Sequence, residues 1–397
     1  MVEFRPVPEA DRQALRRTLR YAFAPEYGPV TDEPSGEWPP TLFEQRGLYD
    51  DEELVGACKL YSLEARVREA FVTVGGLGAV AVPPEHRGQG YARDLCRAAL
   101  REYRDAGVGL VALWPVSVPL YRGFGWGVAN NYARFAFAPS ALPTHDAGGR
   151  FVRLDAEDWQ RLRRVETAFG EGTALSLRRS EQWWRERTLA NWDGSGTPYC
   201  YGYERDGDLR GYVIFTVADD ESRTLSVQDL AHADEAAHRA LLDFLGGHGA
   251  QIERIVLRRG ADADLLDRVA DPAAVECRVK PGPMVRLTAV SALEAIAWPA
   301  DADLACSLAV TDPLLEDADG RFRLTVADGS AAVDPLADVA AAPDLSVDVA
   351  TLSQLAVGTH GVEAAERVGG LDVHDEEVRA PLESVFRPGP VGLREYF

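Results

Sequence analysis

The sequence lacks the cysteine patterns that build disulfide frameworks or zinc sites. Its five cysteines are odd in number and share no metal-type spacing; they are Cys58, Cys96, Cys200, Cys277 and Cys306. Such scattered residues are typical of reduced thiols in a protein core. We therefore expect neither a disulfide nor a bound metal.

Long apolar runs are also missing. No stretch approaches the roughly 20 consecutive apolar residues that cross a bilayer, and the N-terminal Met1-Val-Glu-Phe-Arg5 lacks the basic-then-apolar layout of a signal peptide. With 46% hydrophobic and 26% charged residues, the composition is that of a folded globular protein. We expect a cytoplasmic protein without a membrane partner. Its 397 residues predict two or three domains.

Basic residues are few relative to acidic ones. There are 42 Lys and Arg against 63 Asp and Glu, which gives a net charge of −21, and only Lys59 and Lys280 are lysines. This excess repels phosphate backbones, so we expect no nucleic-acid partner. An acidic surface suits concentrated salt and predicts a halophilic source. GC-rich codons would explain the shortage of lysine but not the excess of acid.

An internal repeat indicates duplication. Asp11-Arg-Gln-Ala-Leu-Arg-Arg17 recurs as Asp158-Trp-Gln-Arg-Leu-Arg-Arg164, with helical spacing in both. We predict two related α/β units, residues 1–150 and 151–287; chance similarity is the alternative. Beyond residue 287, strand-like runs alternate with acidic turns and predict a third domain of α+β type over residues 288–397.

The stretch from Gly78 to Leu100 predicts a strand, a loop rich in Gly and Arg, and a helix. Such a loop presents backbone N–H groups and the positive end of the helix to a polyphosphate. Gly88 and Gly90 permit close approach, and Arg87 can add a charge-assisted contact. Walker A and Rossmann patterns do not fit. The alternative is an ordinary surface turn.

Two motifs resemble a known family. Arg87-Gly-Gln-Gly90-Tyr-Ala92 resembles the Arg-x-x-Gly-x-Gly/Ala loop of the GNAT acetyltransferases, and Pro115-Val-Ser-Val-Pro-Leu-Tyr-Arg-Gly-Phe-Gly-Trp126 resembles the signature of Eis-type acetyltransferases. The resemblance implies an α/β fold in which two GNAT-like mixed-sheet domains precede an α+β domain similar to sterol carrier proteins. It covers essentially the whole chain, although the last domain matches by position and composition only.

The resemblance implies that acetyl-CoA is the co-substrate and that no metal is needed. The backbone of Val80, Ala81 and Val82 would pair with the pantetheine arm, while the pyrophosphate would be surrounded by Arg87, Gly88, Gln89, Gly90, Tyr91 and Ala92. The second unit lacks this loop and has carboxylates between Leu230 and Ala240, so one cofactor per chain is expected. Relatives of this type form hexamers, which implies a homo-oligomer.

The resemblance also implies the catalytic groups. Tyr121 would be the general acid and the terminal carboxylate of Phe397 the general base; the alternatives are a packed aromatic side chain and a frayed tail. Trp38, Asp32 and Glu33 would line the acceptor site, unless their loop is simply solvated. The implied activity is direct acetyl transfer to a primary amine of a small molecule or protein: a polyamine, an aminoglycoside-like amine or a lysine. A non-catalytic coenzyme A or lipid carrier, or an assembly protein, is the alternative.

Overall fold

The structure is a computed structural model that describes residues 2–30, 41–144, 148–191, 196–218, 223–337 and 342–397. The chain packs as two units. The first unit contains Met1–Ala129, Gly172–Leu175 and Pro283–Phe397, and the second contains Asn130–Glu171 and Ser176–Gly282. Each unit is built from mixed sheets covered by helices, so the predicted α/β class is confirmed.

The strands of the described residues, in chain order, are β1 (Glu3–Pro6), β2 (Phe43–Asp50), β3 (Glu53–Val67), β4 (Ala70–Ala81), β5 (Leu110–Leu113), β6 (Gly127–Val128), β7 (Asn131–Phe137), β8 (Arg150–Arg153), β9 (Tyr199–Arg205), β10 (Asp208–Ala218), β11 (Thr224–His232), β12 (Arg254–Gly260), β13 (Glu276–Pro281), β14 (Met284–Leu287), β15 (Leu304–Thr311), β16 (Gly320–Ala327), β17 (Ser330–Pro335), β18 (Leu345–Asp348) and β19 (Leu371–Val373). The α-helices are α1 (Arg12–Phe23), α2 (Tyr91–Asp105), α3 (Val118–Arg122), α4 (Trp159–Phe169), α5 (Glu181–Trp183), α6 (Glu235–Gly246), α7 (Leu265–Arg268), α8 (Val349–Val357), α9 (Val362–Arg367) and α10 (Arg379–Val385).

The N-terminal part of the first unit is organised by a sheet with the strand order β1-β2-β3-β4-β5-β14-β6. Helix α1 packs Leu15 into one small core, and helix α2 packs Leu95 and Leu100 into a larger one. Strands β4 and β5 are parallel and pair only where Val74–Gly76 meets Leu110–Ala112. Since this pairing stops there in the described residues, the sheet opens between the C-terminal half of β4 and the end of β5. We call this opening the first cleft.

The C-terminal part of the same unit is an α+β layer. Its sheet has the order β17-β16-β15-β18-β19, and helices α8, α9 and α10 contribute buried apolar side chains to its core. A small cavity in this core has room for about one water molecule. Apolar side chains line it, among them Leu308, Leu324, Val347, Leu355 and Phe386.

The second unit repeats the strand arrangement of the first. Its sheet has the order β13-β7-β12-β11-β10-β9-β8, in which β11 and β12 are the parallel pair. In each unit an antiparallel strand next to the parallel pair comes from a distant part of the chain: β14 beside β5, and β7 beside β12. The predicted repeat therefore agrees with two sheets of like topology.

Sheet membership differs from chain order at the predicted limits. Strand β7, which precedes residue 150, lies in the second sheet, and β14, which precedes residue 288, lies in the first. The physical reason is that the antiparallel position beside the parallel pair can be filled by any strand that reaches it, and local sequence similarity does not report such an exchange. The domain limits at 150 and 287 stay predictions.

One cysteine differs from expectation. Cys58, Cys96, Cys200 and Cys306 are buried free thiols, as predicted, but Cys277 is exposed. It lies on β13, the outermost strand of its sheet, whose side chains are mostly exposed. An edge strand that lacks a covering layer leaves both faces in water.

Candidate active site

The loop before α2 leaves the positive end of that helix open. Gly88 and Gly90 have φ angles of +78° and +92°, which favour glycine, and a Cβ atom at either position would meet nothing within 4 Å. Gly90 is the N-cap, and among the residues that the structure describes no side chain caps the helix. The first N–H groups of a helix have no acceptors of their own, so this end fits an anion such as a pyrophosphate.

Arg87 lies along the same loop. Its Nε donates a hydrogen bond to the Val82 carbonyl oxygen at 3.3 Å, and its guanidinium lies 5.2 Å from the ring centroid of Tyr21. The side chain therefore connects the end of β4 with helix α1. Its positive charge stays at the loop, where it adds to the helix dipole.

Other side chains of the loop contact the β2–β3 turn or the loop backbone and so stabilise the loop. Tyr91 donates a hydrogen bond to an Asp50 carboxylate oxygen at 2.8 Å, which holds the pKa of Asp50 below its usual value. His86 Nε2 lies 3.3 Å from Glu53 Oε1, and the Gln89 amide contacts the loop itself. Because the Tyr91 side chain is engaged with the β2–β3 turn, its backbone is the part available to a cofactor.

A β-bulge shapes the strand side of the first cleft. Gly78 pairs with Lys59 and Ala81 pairs with Ala57, so the register shifts by one residue between them. Ala79 adopts φ +50°, which is uncommon for a residue with a Cβ. A bulge of this kind turns the backbone out of the regular ladder. The predicted cofactor strand, Val80 to Val82, begins directly after it.

The C-terminal tail lies in this cleft. Trp114, just after β5, donates its indole N–H to the Glu395 carbonyl oxygen at 2.6 Å, and its ring stacks on Tyr396 with centroids 3.9 Å apart. The Phe397 ring packs on Tyr61 with centroids 5.3 Å apart. The tail is therefore held by aromatic contacts from both sides of the opening.

The Phe397 carboxyl group sits against the bulged strand. A Cβ atom at Gly78 would lie 3.1 Å from the Phe397 carbonyl carbon and 3.2 Å from its oxygen. A side chain at this position would crowd both the tail and the Tyr61 ring, from which the same Cβ atom would lie 2.9 Å. The structure therefore brings Phe397 close to Gly78, the residue before the bulge.

Further contacts fix the tail upstream. The Ala174 N–H donates to the Pro390 carbonyl at 2.9 Å, and Gly392 N–H donates to the Ala174 carbonyl at 2.9 Å. Leu393 and Glu395 are buried, with 3% and 6% of their surfaces exposed. The tail is therefore packed, which disfavours the alternative of a frayed end.

Tyr121 lies on the short helix α3. Ser117 caps that helix by accepting a hydrogen bond from Leu120 N–H at 3.4 Å, and the Tyr121 ring meets Phe124 and Trp126 edge-on, with centroids 6.4 and 6.3 Å away. Burial raises the pKa of Tyr121 above its usual value, so the phenol keeps its proton at neutral pH. Among the described residues, its hydroxyl has no hydrogen-bond partner.

The cofactor loop, Tyr121 and Phe397 stay predictions as site residues. Trp38, Asp32 and Glu33 lie outside the described residues. Tyr61 and Trp114, which contact the tail, were missed because nothing local marks them. The signal that could have found Trp114 is its place directly after a buried strand, where the cleft opens.

Known proteins resemble this chain over most of its length. Models of the GNAT acetyltransferase domain match residues 3–129 and 175–287, and a sterol carrier protein domain matches residues 289–392. The N-acetyltransferase Eis of Mycobacterium tuberculosis is 26% identical over 350 residues, which cover 84% of this chain and 83% of that protein. An uncharacterized N-acetyltransferase of Streptomyces avermitilis is 28% identical over 298 residues, 70% of this chain and 71% of that one. These matches support an Eis-like GNAT N-acetyltransferase.

Solved structures agree on the fold. A GCN5-related N-acetyltransferase from Anabaena variabilis superposes with a TM-score of 0.83 at 19% identity and covers 100% of both chains. Eis1 from Mycobacterium abscessus superposes with a TM-score of 0.75 at 22% identity, again over 100% of both. The predicted order of two GNAT-like domains and a sterol-carrier-like domain is confirmed, and so is the prediction of an acyltransferase.

Two further observations concern partners. None of the described helices has the length and apolar character of a membrane span. Within the same residues, no three His, Cys, Asp or Glu side chains are grouped closely enough to hold a metal ion. The halophilic source, the cytoplasmic location and the homo-oligomer stay predictions.

Proposed function

We propose that the first unit transfers the acetyl group of acetyl-CoA directly to a primary amine. The observation that carries the proposal is the position of the Phe397 carboxyl group, which lies against β4 at the bulge and at the opening between β4 and β5. In the proposed mechanism the Phe397 carboxylate is the base, and it lies beside β4, the strand that leads to the open end of α2. The substrate classes that fit are a polyamine, an aminoglycoside-like amine or a lysine side chain.

The residues present fit the co-substrate. The uncapped start of α2 and the charge of Arg87 would hold the pyrophosphate, and the backbone of Val80–Val82 would pair with the pantetheine arm. When bound, acetyl-CoA supplies a thioester carbonyl that an amine can attack. The protein itself repels polyanions through its net charge of −21, so these local positive groups are required for binding.

The proposed chemistry moves two protons. The attacking amine nitrogen forms a bond to the carbonyl carbon and loses a proton to the Phe397 carboxylate, directly or through a water. The bond from that carbon to sulfur breaks, and Tyr121 Oη donates its proton to the departing sulfur. An α-carboxyl group with a reference pKa of about 3.3 to 3.7 is a weak base against an alkylammonium near 10.4. Desolvation in the cleft must therefore lower the pKa of the ammonium so that it releases its extra proton to water and attacks as the neutral amine.

The net charge helps with the acceptor. A cationic amine is drawn to an acidic protein, and the aromatic rings of Tyr61, Trp114 and Tyr396 at the cleft offer faces for cation–π contact. The lipid-carrier alternative gains no support from the C-terminal core, because its cavity has room for about one water molecule. We therefore place the working site in the first cleft.

The test is thiol release from acetyl-CoA in the presence of spermidine, kanamycin or a lysine-containing peptide. We expect turnover with at least one amine, and a variant extended by a few residues beyond Phe397 should lose most of it while it still binds acetyl-CoA. The extension removes a carboxylate from beside Gly78 without changing any other residue. Full activity of the extended chain would exclude Phe397 as the base, and binding without turnover for every amine would favour a carrier or sensor.

A further inference from the structure

A fully buried ion pair joins β14 to the C-terminal part of the first unit. Arg286 on β14 and Asp312 after β15 have fully buried side chains, and Arg286 Nη2 donates hydrogen bonds of 2.8 and 2.6 Å to the two Asp312 carboxylate oxygens. Asp312 also accepts from the N–H groups of Leu314 and Leu315 at 2.8 and 2.9 Å. A buried pair of this kind is costly to desolvate, so it gives weak evidence for stability alone.

The second nitrogen of the same guanidinium reaches the turn after α3. Arg286 Nη1 donates to the Gly125 carbonyl oxygen at 3.2 Å. Gly125 has a φ of +80°, and a Cβ atom there would overlap Nη1. The turn therefore needs a glycine both for its backbone conformation and for the approach of Arg286.

This turn determines where Tyr121 lies. The Tyr121 carbonyl oxygen accepts hydrogen bonds from the N–H groups of Phe124 and Trp126, both at 3.0 Å, and Gly125 N–H donates to the Arg122 carbonyl at 2.9 Å. The rings of Phe124 and Trp126 flank the Tyr121 ring. A displacement of Gly125 would thus move both the backbone of Tyr121 and the rings that orient its phenol.

Helix α8 supports the same turn from the C-terminal part. The Val349 side chain would lie 2.7 Å from a Cβ atom at Gly125, and Gln354 Nε2 donates to the Val128 carbonyl at 2.8 Å. Ser353 Oγ accepts from Leu287 N–H at 2.9 Å. Arg286 is the charged member of this support, and its guanidinium contacts both the turn and Asp312.

We infer that Arg286, held by Asp312, is a positioning residue that fixes the turn after α3 and thereby the position of the Tyr121 phenol. The inference rests on the proposed role of Tyr121 as proton donor. In this inference the C-terminal α+β layer takes part in catalysis, because its Asp312 holds the residue that positions the general acid Tyr121. A purely structural role would affect stability alone.

The test uses Arg286→Lys in the full chain. Lysine keeps the positive charge beside Asp312 but lacks the planar fork that reaches two partners at once. We expect turnover in the thiol-release assay to fall by about 10- to 100-fold, with the KM for acetyl-CoA unchanged, because a small misplacement of a catalytic group has effects of this size. The matched control is Arg68→Gln, which removes hydrogen bonds to the Leu355 and Ala356 carbonyls at the other end of α8 and should leave turnover within about twofold.

A double-mutant cycle separates positioning from stability. In the Tyr121→Phe background, Arg286→Lys should cause no further loss of turnover, since the group that it positions is already gone. An equal loss in both backgrounds would overturn the inference. If Arg286→Lys does not fold, the double variant Arg286→Met with Asp312→Asn, which removes both buried charges, takes its place in the same cycle.

A second readout does not depend on turnover. Amide hydrogen exchange over residues 121–127 should be faster in Arg286→Lys and unchanged in Arg68→Gln. If the unmodified protein turns over no amine, the proposed function fails, yet the exchange measurement still decides whether Arg286 fixes the turn. Unchanged exchange in Arg286→Lys would contradict the inference.

Discussion

The two GNAT-like units have the same strand arrangement but differ at the N-terminus of the corresponding helix, which is α2 in the first unit and α6 in the second. In the first unit, α2 begins at Tyr91 after the N-cap Gly90, and no side chain of the described residues caps it. In the second, α6 begins at Glu235 after the N-cap Asp234, whose carboxylate accepts from Ala237 N–H at 2.8 Å and pairs with Arg205 and Arg210 at 2.9 and 2.7 Å. The positive helix end of the second unit is thus already satisfied by a carboxylate of the protein.

The two units also differ in the residues that lie at the opening beside the parallel strands, which are β4 and β5 in the first unit and β11 and β12 in the second. In the second unit, β11 and β12 pair from Thr224 to Val227, and beyond that point Arg259 Nη1 donates to the Leu230 carbonyl at 2.9 Å. The guanidinium lies 5.0 Å from the Phe169 ring centroid, and the His232 ring packs 4.9 Å from the same ring. A shared fold therefore does not determine binding. In the second unit Arg259 crosses the opening and Asp234 occupies the helix end, whereas in the first unit the C-terminal tail lies in the cleft and leaves the start of α2 open.

Replacement of a tyrosine should have the largest effect and should distinguish the units. Tyr121→Phe removes the proposed proton donor and should lower turnover by about 100-fold or more while acetyl-CoA still binds. The matched control is Tyr203→Phe in the second unit, which removes one buried hydroxyl that donates to the Gly148 carbonyl. Steady-state thiol release measures both, and equal turnover of the two variants would remove Tyr121 from the chemistry.

A carboxylate placed at the open helix end should make the first unit resemble the second. Gly90→Asp introduces a negative charge where the pyrophosphate would lie, and acetyl-CoA affinity should fall by at least about 10-fold. Gly90→Asn has the same shape and the same strain at φ +92° but no charge, so it is the control. Calorimetric titration compares them, and equal affinities would show that the anion does not bind at α2.

Acid should destabilise the second unit at the opening beside β11 and β12, where His232 lies. Burial, with a contribution from Arg259, lowers the pKa of His232 to about 3 and that of His238 to about 4. Because both are below the unfolded value of about 6.5, their contribution is fully present above that pH and is lost as the pH falls toward 4. The melting temperature should drop over this range, and less so in a variant with both histidines changed to Asn. Parallel curves for the two proteins would argue against these shifts.

The smallest effect is expected at the capped helix. Asp234→Ala removes an N-cap and should lower the free energy of unfolding by about 1 to 2 kcal/mol. Acetyl-CoA affinity should not change, since Asp234 caps α6 and the proposed pyrophosphate site is at α2. Urea unfolding and calorimetric titration on the same sample test both statements; a weakened affinity would mean that the second unit takes part in binding.

The sequence predicted the parts of the site that local motifs encode. Gly88 and Gly90 could be predicted because a tight loop before a helix constrains neighbouring residues, and Tyr121 because its signature is contiguous; their roles in binding and catalysis stay predictions. The exchange of β7 and β14, the contact of Trp114 with the tail, and the pair of Arg286 with Asp312 were not predicted. Each joins residues far apart in the chain, and periodicity carries no information on such contacts.

We propose that the protein has one coenzyme site, in the first cleft. Calorimetric titration of the unmodified chain with acetyl-CoA, at raised KCl to screen the acidic surface, counts the sites. We expect one acetyl-CoA bound per chain. Two sites per chain, or no binding at any salt concentration, would exclude a single coenzyme site in the first cleft.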